Sequence, residues 1–204
     1  MTTALWVLLG ILGSAALAAI ILFAVRSSRA RGDRSVGPRP ASEEPVARER
    51  RRQKAVDDLN IVDTPAEDRF DRIVTMARQL YGTESAVFSV IDRDREWHKS
   101  RSGKTVEEAQ RSASFCSVTI RGVDALIVGD ASKDERFLGT PAVENDPNIR
   151  FYAGYPVQSP NGEQIGALCV YDPTPRNSDE IDDSMLRQLA HLLEAELRVA
   201  PARR

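Results

Sequence analysis

Residues 151–172, FYAGYPVQSPNGEQIGALCVYD, decide the reading of the fold. Phe151 to Ser159 and Glu163 to Asp172 are two runs rich in β-branched and aromatic residues. Pro160-Asn161-Gly162 between them favours a chain reversal, which predicts an antiparallel hairpin. A second hairpin precedes it: 84–92 (ESAVFSVID) and 95–102 (REWHKSRS) read as strands joined by Arg93-Asp94. Working outward, Thr64-Pro65-Ala66-Glu67 predicts a helix start, with Thr as cap, Pro in the first turn and Glu67 reaching back. Phe70, Ile73, Val74, Ala77, Leu80 and Tyr81 then repeat at helical spacing until Gly82. A short helix is expected over 114–121, a strand over Ala125–Val128, and an irregular stretch from Asp130 to Ile149. The last helix is expected from Ser178 to Val199, with Ile181, Met185, Leu189, Leu192, Leu193 and Leu197 as its apolar stripe. Two hairpins interspersed with helices give an α+β class, a central antiparallel sheet flanked by helices, over residues 48–199.

The chain has 204 residues with a net charge of −2, so no general attraction to nucleic acid is expected. That average hides three regions. Residues 1–25 carry no charged side chain, and 4–25 (ALWVLLGILGSAALAAIILFAV) form an uncharged run of about 33 Å as a helix, long enough to span a bilayer. Arg26, Arg29, Arg31 and Arg34 follow, while no basic residue precedes. This predicts a single-pass membrane protein with its C-terminal domain in the cytoplasm. Gly10, Ser14 and Ala18 lie on one face of that helix and would let two copies pack. Residues 26–54 hold ten basic and four acidic side chains. Over 26–47 the Ser, Arg, Gly and Pro content predicts a basic flexible linker that touches anionic headgroups. The basic run 48–54 is expected as a solvated or lipid-facing helix continuing to Leu59.

Chemical motifs are sparse. With 2 Cys and 2 His, neither a disulfide scaffold nor a four-Cys zinc site is available. There is no phosphate-cradling glycine loop, nucleophile elbow or kinase signature. Cys116 begins a short helix, whose N-terminus would lower a thiol pKa, although burial would leave it inert. Cys169 is expected in the core of its strand. His98 on a strand and His191 on the last helix have no metal-ligand spacing to a second His or Cys, so no metal site and no catalytic residue are expected.

The succession DTPAEDRFDRIVTMARQLYG (63–82), FSVIDRDREWHKS (88–100), SFC (114–116), DERF (134–137), IRFYAGYPV (149–157) and GEQIGALCVYD (162–172) resembles the bacterial GAF domain family. The resemblance departs at Val118, where a His is common, and at His98, where an aromatic is. It implies a sensory fold that binds a small molecule or partner protein, feeds a separate signalling output protein, and forms homodimers through terminal helices. Leu189, Leu193 and Leu197 would serve that interface or cover their own sheet. It also implies a pocket roofed by Asp130–Ile149, with Phe115, Cys116, Arg136, Phe137, Arg150 and Tyr152 nearest the cavity. An arginine would anchor an anionic ligand. The cofactor stays unassigned. Two other functions fit the same pattern, a ligand-free interaction scaffold and a thiol reductase similar to free methionine sulfoxide reductases.

Overall fold

The computed structural model describes residues 45–199. The expected span at 4–25 and nearly all of the expected linker lie outside the described residues. Among the described residues no helix is long and apolar enough to cross a membrane.

Six antiparallel strands form one sheet in the order β3-β2-β1-β6-β5-β4. The strands are β1 (Ser85–Asp92), β2 (Arg95–Gly103), β3 (Glu108–Gln110), β4 (Leu126–Val128), β5 (Phe151–Gln158) and β6 (Gln164–Asp172). Both expected hairpins are present, and Ser85–Val90 pairs with Gly166–Tyr171 to join them at the sheet centre. The β3 edge strand is absent from the sequence expectation. Its three residues are all exposed, so no apolar alternation marks it.

Residue alternation sends the two faces into separate cores. From β1, Ala86, Phe88 and Val90 enter one core while Val87 and Ile91 enter the other. The first face is closed by three helices, α1 (Pro45–Leu59), α2 (Asp68–Tyr81) and α5 (Ser184–Arg198). The opposite face is covered by two short helices, α3 (Phe115–Thr119) and α4 (Pro141–Glu144), and by connecting loops.

Helix α1 starts three residues before the expected position, with Pro45 in its first turn. It is not a wholly solvated or lipid-facing basic helix, because Ala55, Val56 and Arg52 are buried. Arg52 donates from Nη1 to the Ile91 carbonyl at 2.5 Å and is gripped by both Glu49 oxygens at 3.0 and 2.8 Å. Helix α2 begins at Asp68 rather than at Thr64. The Thr64 hydroxyl is occupied elsewhere, donating to Ile61 O (2.6 Å) and accepting from Lys99 Nζ (2.6 Å). Lys99 is buried and also takes Pro65 O (2.8 Å) and Glu67 (2.8 Å), so the Thr-Pro-Ala-Glu segment wraps an ammonium. The C-terminal signal holds: Gly82 adopts the left-handed conformation at φ 56°, and Thr83 N–H returns to Arg78 O.

The last helix is shorter than expected. Ser178–Glu180 form a single 3-10 turn, and the α-helix starts only at Ser184. Its buried stripe is Leu186, Leu189, Ala190, Leu193 and Leu197, while Met185 and Leu192 are exposed. Leu189, Leu193 and Leu197 therefore cover their own sheet.

Candidate functional site

Between the sheet and the α3/α4 cover lies a cavity of about 390 Å³. Its floor comes from alternate residues of the central strands, Val87 on β1, Glu96 and His98 on β2, Tyr152 on β5, and Cys169 and Tyr171 on β6. Its cover comes from Val106–Cys116 and from Pro141–Ile149. The covering segments are short pieces because their backbone turns repeatedly: a 3-10 turn at Arg111–Ala113, then α3 capped by Ser114, whose Oγ accepts from Ser117 N–H at 2.9 Å.

Three of the six expected site residues line this cavity: Phe115, Cys116 and Tyr152. The other three do not. Phe137 is buried one layer out, stacked on Phe115 with ring centroids 3.8 Å apart. Arg136 is turned back onto Asp134 by two hydrogen bonds (2.9 and 2.5 Å) and edges a separate shallow depression with Lys133 and Arg176. Arg150 donates to the Val143 and Ile149 carbonyls (2.8 and 3.1 Å) and so braces the Pro141–Ile149 cover. Asp134 holds the Arg136 side chain and two carbonyls hold Arg150, so neither borders the cavity. Of the Asp130–Ile149 stretch expected as roof, only the portion from Pro141 onward borders the cavity; the part before it carries Arg136 away from it. Among the described residues no Arg or Lys lines the cavity.

The polar centre of the wall is a pair that sequence reasoning left out. His98 Nε2 lies 2.9 Å from Glu96 Oε1, and its Nδ1 lies 2.8 Å from Val106 O. The carbonyl can only accept, so Nδ1 carries a proton, and a second proton is held between Nε2 and the carboxylate. Only 6% and 7% of these residues are exposed. Burial pushes the Glu96 carboxyl up, but the hydrogen bond and charge of His98 overcome it and hold it below its usual range. Burial likewise opposes the imidazolium, and the Glu96 carboxylate and Val106 carbonyl hold His98 above its usual value. The pair is thus an ion pair without net charge. The Glu-Trp-His alternation, two titratable groups two apart on one strand face, is the signal that could have found it.

The two thiols meet in the same wall. Cys116 Sγ and Cys169 Sγ are 3.6 Å apart, and the Tyr152 hydroxyl, itself 2.8 Å from Thr119 Oγ1, donates to Cys116 Sγ at 3.5 Å. Burial and the neighbouring thiol push Cys116 well up, opposite to the lowering expected from a helix N-terminus. No group of three metal-ligating side chains exists among the described residues. His191 lies at the helix surface, 3.1 Å from Glu194.

An antiparallel sheet with one closed face and one cavity-bearing face defines a domain built around a small-molecule-sized pocket. Residues 65–197 match the family described as GAF domain, and the chain belongs to that family. A cyclic di-GMP phosphodiesterase of Pseudomonas aeruginosa is 36% identical over 150 residues, 73% of this chain. The matched stretch is 26% of that relative, so this chain spans about a quarter of it. Among solved structures, the GAF domain of an Acinetobacter phosphoenolpyruvate-protein phosphotransferase aligns with a TM-score of 0.52 at 18% identity, covering 74% of this chain and 92% of that one. A type II free methionine-R-sulfoxide reductase of Thermoplasma acidophilum aligns with a TM-score of 0.51 at 18% identity, covering 62% and 88%. At these identities the two structures share the fold alone. A GAF domain fits a sensory or regulatory module.

Proposed function

We propose that the chain is a membrane-anchored regulatory module whose cavity binds a small, uncharged molecule with an aromatic or aliphatic body and a hydrogen-bond donor, without catalysis of its own. The observation that carries the ligand class is the composition of the wall. A neutral Glu96–His98 ion pair is set among Phe115, Tyr152, Ile149 and Val87, with no Arg or Lys to compensate an anion. Burying an unpaired anion there would cost several kcal/mol. A cavity of about 390 Å³ lies within the range of small-molecule sites. An arginine would be the anchor only for an anionic ligand; in this reading a ligand donor faces Glu96 instead.

The anchor rests on the uncharged run 4–25 and the arginines after it, which put the domain in the cytoplasm. A separate output protein would receive the signal. The similarity to a cyclic di-GMP phosphodiesterase, of which this chain matches about a quarter, supports a regulatory reading. Two chains on one membrane would pair weakly, through Met185 and Leu192 rather than the buried leucines. A strictly monomeric full chain in light scattering would remove that pairing.

Matched probes test the ligand class. Ligand-observed NMR on the full chain should show benzamide binding and benzoate not, with the benzamide signal lost in Glu96→Gln. Equal binding of benzoate would overturn the uncharged-ligand reading, and no binding across a neutral fragment panel would favour a ligand-free interaction scaffold.

A further inference from the structure

We infer that Cys116 and Cys169 form a redox-modification site, a thiol pair that a hydroperoxide converts to a disulfide joining the cavity cover to the sheet. The pair itself stands on geometry alone; only its effect on ligand binding rests on the function proposed above. The two residues are 53 positions apart in sequence, one on α3 and one on the central strand β6, yet their sulfurs are 3.6 Å apart. Both are free and buried, and both border the cavity, so an oxidant of peroxide size meets them from inside it. Closing to a disulfide bond length of about 2.05 Å requires a shift of roughly 1.5 Å, which a five-residue helix capped by a single serine can supply.

The steps balance with the hydroperoxide as the only co-reactant. Cys116 Sγ attacks one peroxide oxygen, the O–O bond breaks, and the thiol proton leaves with the departing oxygen as an alcohol, or as water from hydrogen peroxide. Cys116 is then a sulfenic acid. Cys169 Sγ attacks that sulfur, the S–O bond breaks, and the hydroxide leaves as water with the Cys169 proton. The two thiols give up two electrons and two protons, and the peroxide takes them. The Tyr152 hydroxyl, already donating to Cys116 Sγ, stabilises the developing thiolate. The raised thiol makes thiolate scarce at neutral pH, so the pair responds slowly and answers sustained oxidant rather than a brief pulse.

The cross-link has a structural consequence. Phe115, next to Cys116, stacks on Phe137 and lies 4.9 Å from the Tyr152 ring. Drawing α3 onto β6 moves this aromatic stack inward and narrows the cavity, so oxidised protein should bind the neutral probe less well than reduced protein. In a reducing compartment the resting form is the dithiol.

The test treats the full chain with hydrogen peroxide and follows intact mass, thiol count after denaturation, and hydrogen exchange over 115–119. The expected product is lighter by two hydrogen atoms, has lost both thiols together, forms faster as pH rises from neutral, exchanges more slowly at 115–119, and reverts with a phosphine reductant. Cys116→Ser and Cys169→Ser should each keep the partner thiol or gain oxygen, never losing two hydrogens. Independent loss of the two thiols with added oxygen, a disulfide between two chains, or no reaction under conditions that oxidise the urea-unfolded chain would each overturn the assignment. Benzamide binding is read separately, so failure of the ligand reading leaves the mass result standing, and the converse holds.

Discussion

Val87 and Phe88 are neighbours on β1, but they enter cores built in different ways. Phe88 meets Phe70 of a fourteen-residue helix, with ring centroids 5.5 Å apart, in a layer made continuous by α1, α2 and α5. Val87 looks into a space bordered by a five-residue helix, a four-residue helix and loops. Long helices present unbroken apolar stripes that interlock with a sheet. Short pieces fill space less completely and leave a void bordered by polar side chains. The sheet therefore has one face closed by long helices and one that borders a cavity.

The sharpest test of that contrast is a pair of truncations. Phe70→Ala should cost about 3–5 kcal/mol, since the well-packed helical layer cannot collapse around the lost ring. Ile149→Ala, on the border of the existing cavity, should cost nearer 2 kcal/mol, because part of its surroundings is already empty. Urea unfolding of both variants measures the difference, and equal losses would mean the two faces are packed alike.

A second prediction concerns pH. The depressed Glu96 contributes stability above its unfolded value of 4.5 that is lost as pH falls through its folded value. The raised His98 contributes stability below its unfolded value of 6.5 that is lost as pH rises through its folded value. The pair is thus worth most between those two values. In Glu96→Gln the carboxylate that raises His98 is gone, and burial then depresses the imidazole. Its contribution should then grow with rising pH through about 6.5, reversing the sign of the slope, with a ceiling of about 1.4 kcal/mol per pH unit for one proton. Melting temperatures of both proteins across neutral pH decide this, and parallel curves would show that the pair does not titrate as a unit.

The smallest effect belongs to Arg136. Half-exposed, ion-paired with Asp134 and lying over the Phe137 ring, it should change stability by about 0.5 kcal/mol or less on Arg136→Ala and leave benzamide binding intact. Loss of that binding would return the arginine to the site and place the pocket nearer the Asp130–Leu138 segment.

Patterns of nearest neighbours in the chain carried most of the architecture. Alternation and turn chemistry made both hairpins legible, helical spacing and Gly82 made α2 legible, and the long stretch before Ile149 pointed to the cover of the cavity. Misplaced boundaries share one cause. Thr64 reads as a cap until the distant Lys99 claims its hydroxyl, and Met185 and Leu192 read as stripe residues until α5 is rotated by what it packs on. For the site, the family resemblance put Phe115, Cys116 and Tyr152 near a pocket, and all three border the cavity. It could not reject Arg136 and Arg150, whose partners are fixed by loop geometry. Nor could it set Cys169 beside Cys116, or give His98 the Glu96 and Val106 partners that hold it charged. Sequence by itself determined most of the strands and helices, since those follow from local periodicity and steric preference, and its succession of motifs carried the family resemblance. Only the tertiary structure decided which polar groups meet, because a hydrogen bond, an ion pair or a thiol contact depends on a few tenths of an ångström between residues that the chain keeps far apart.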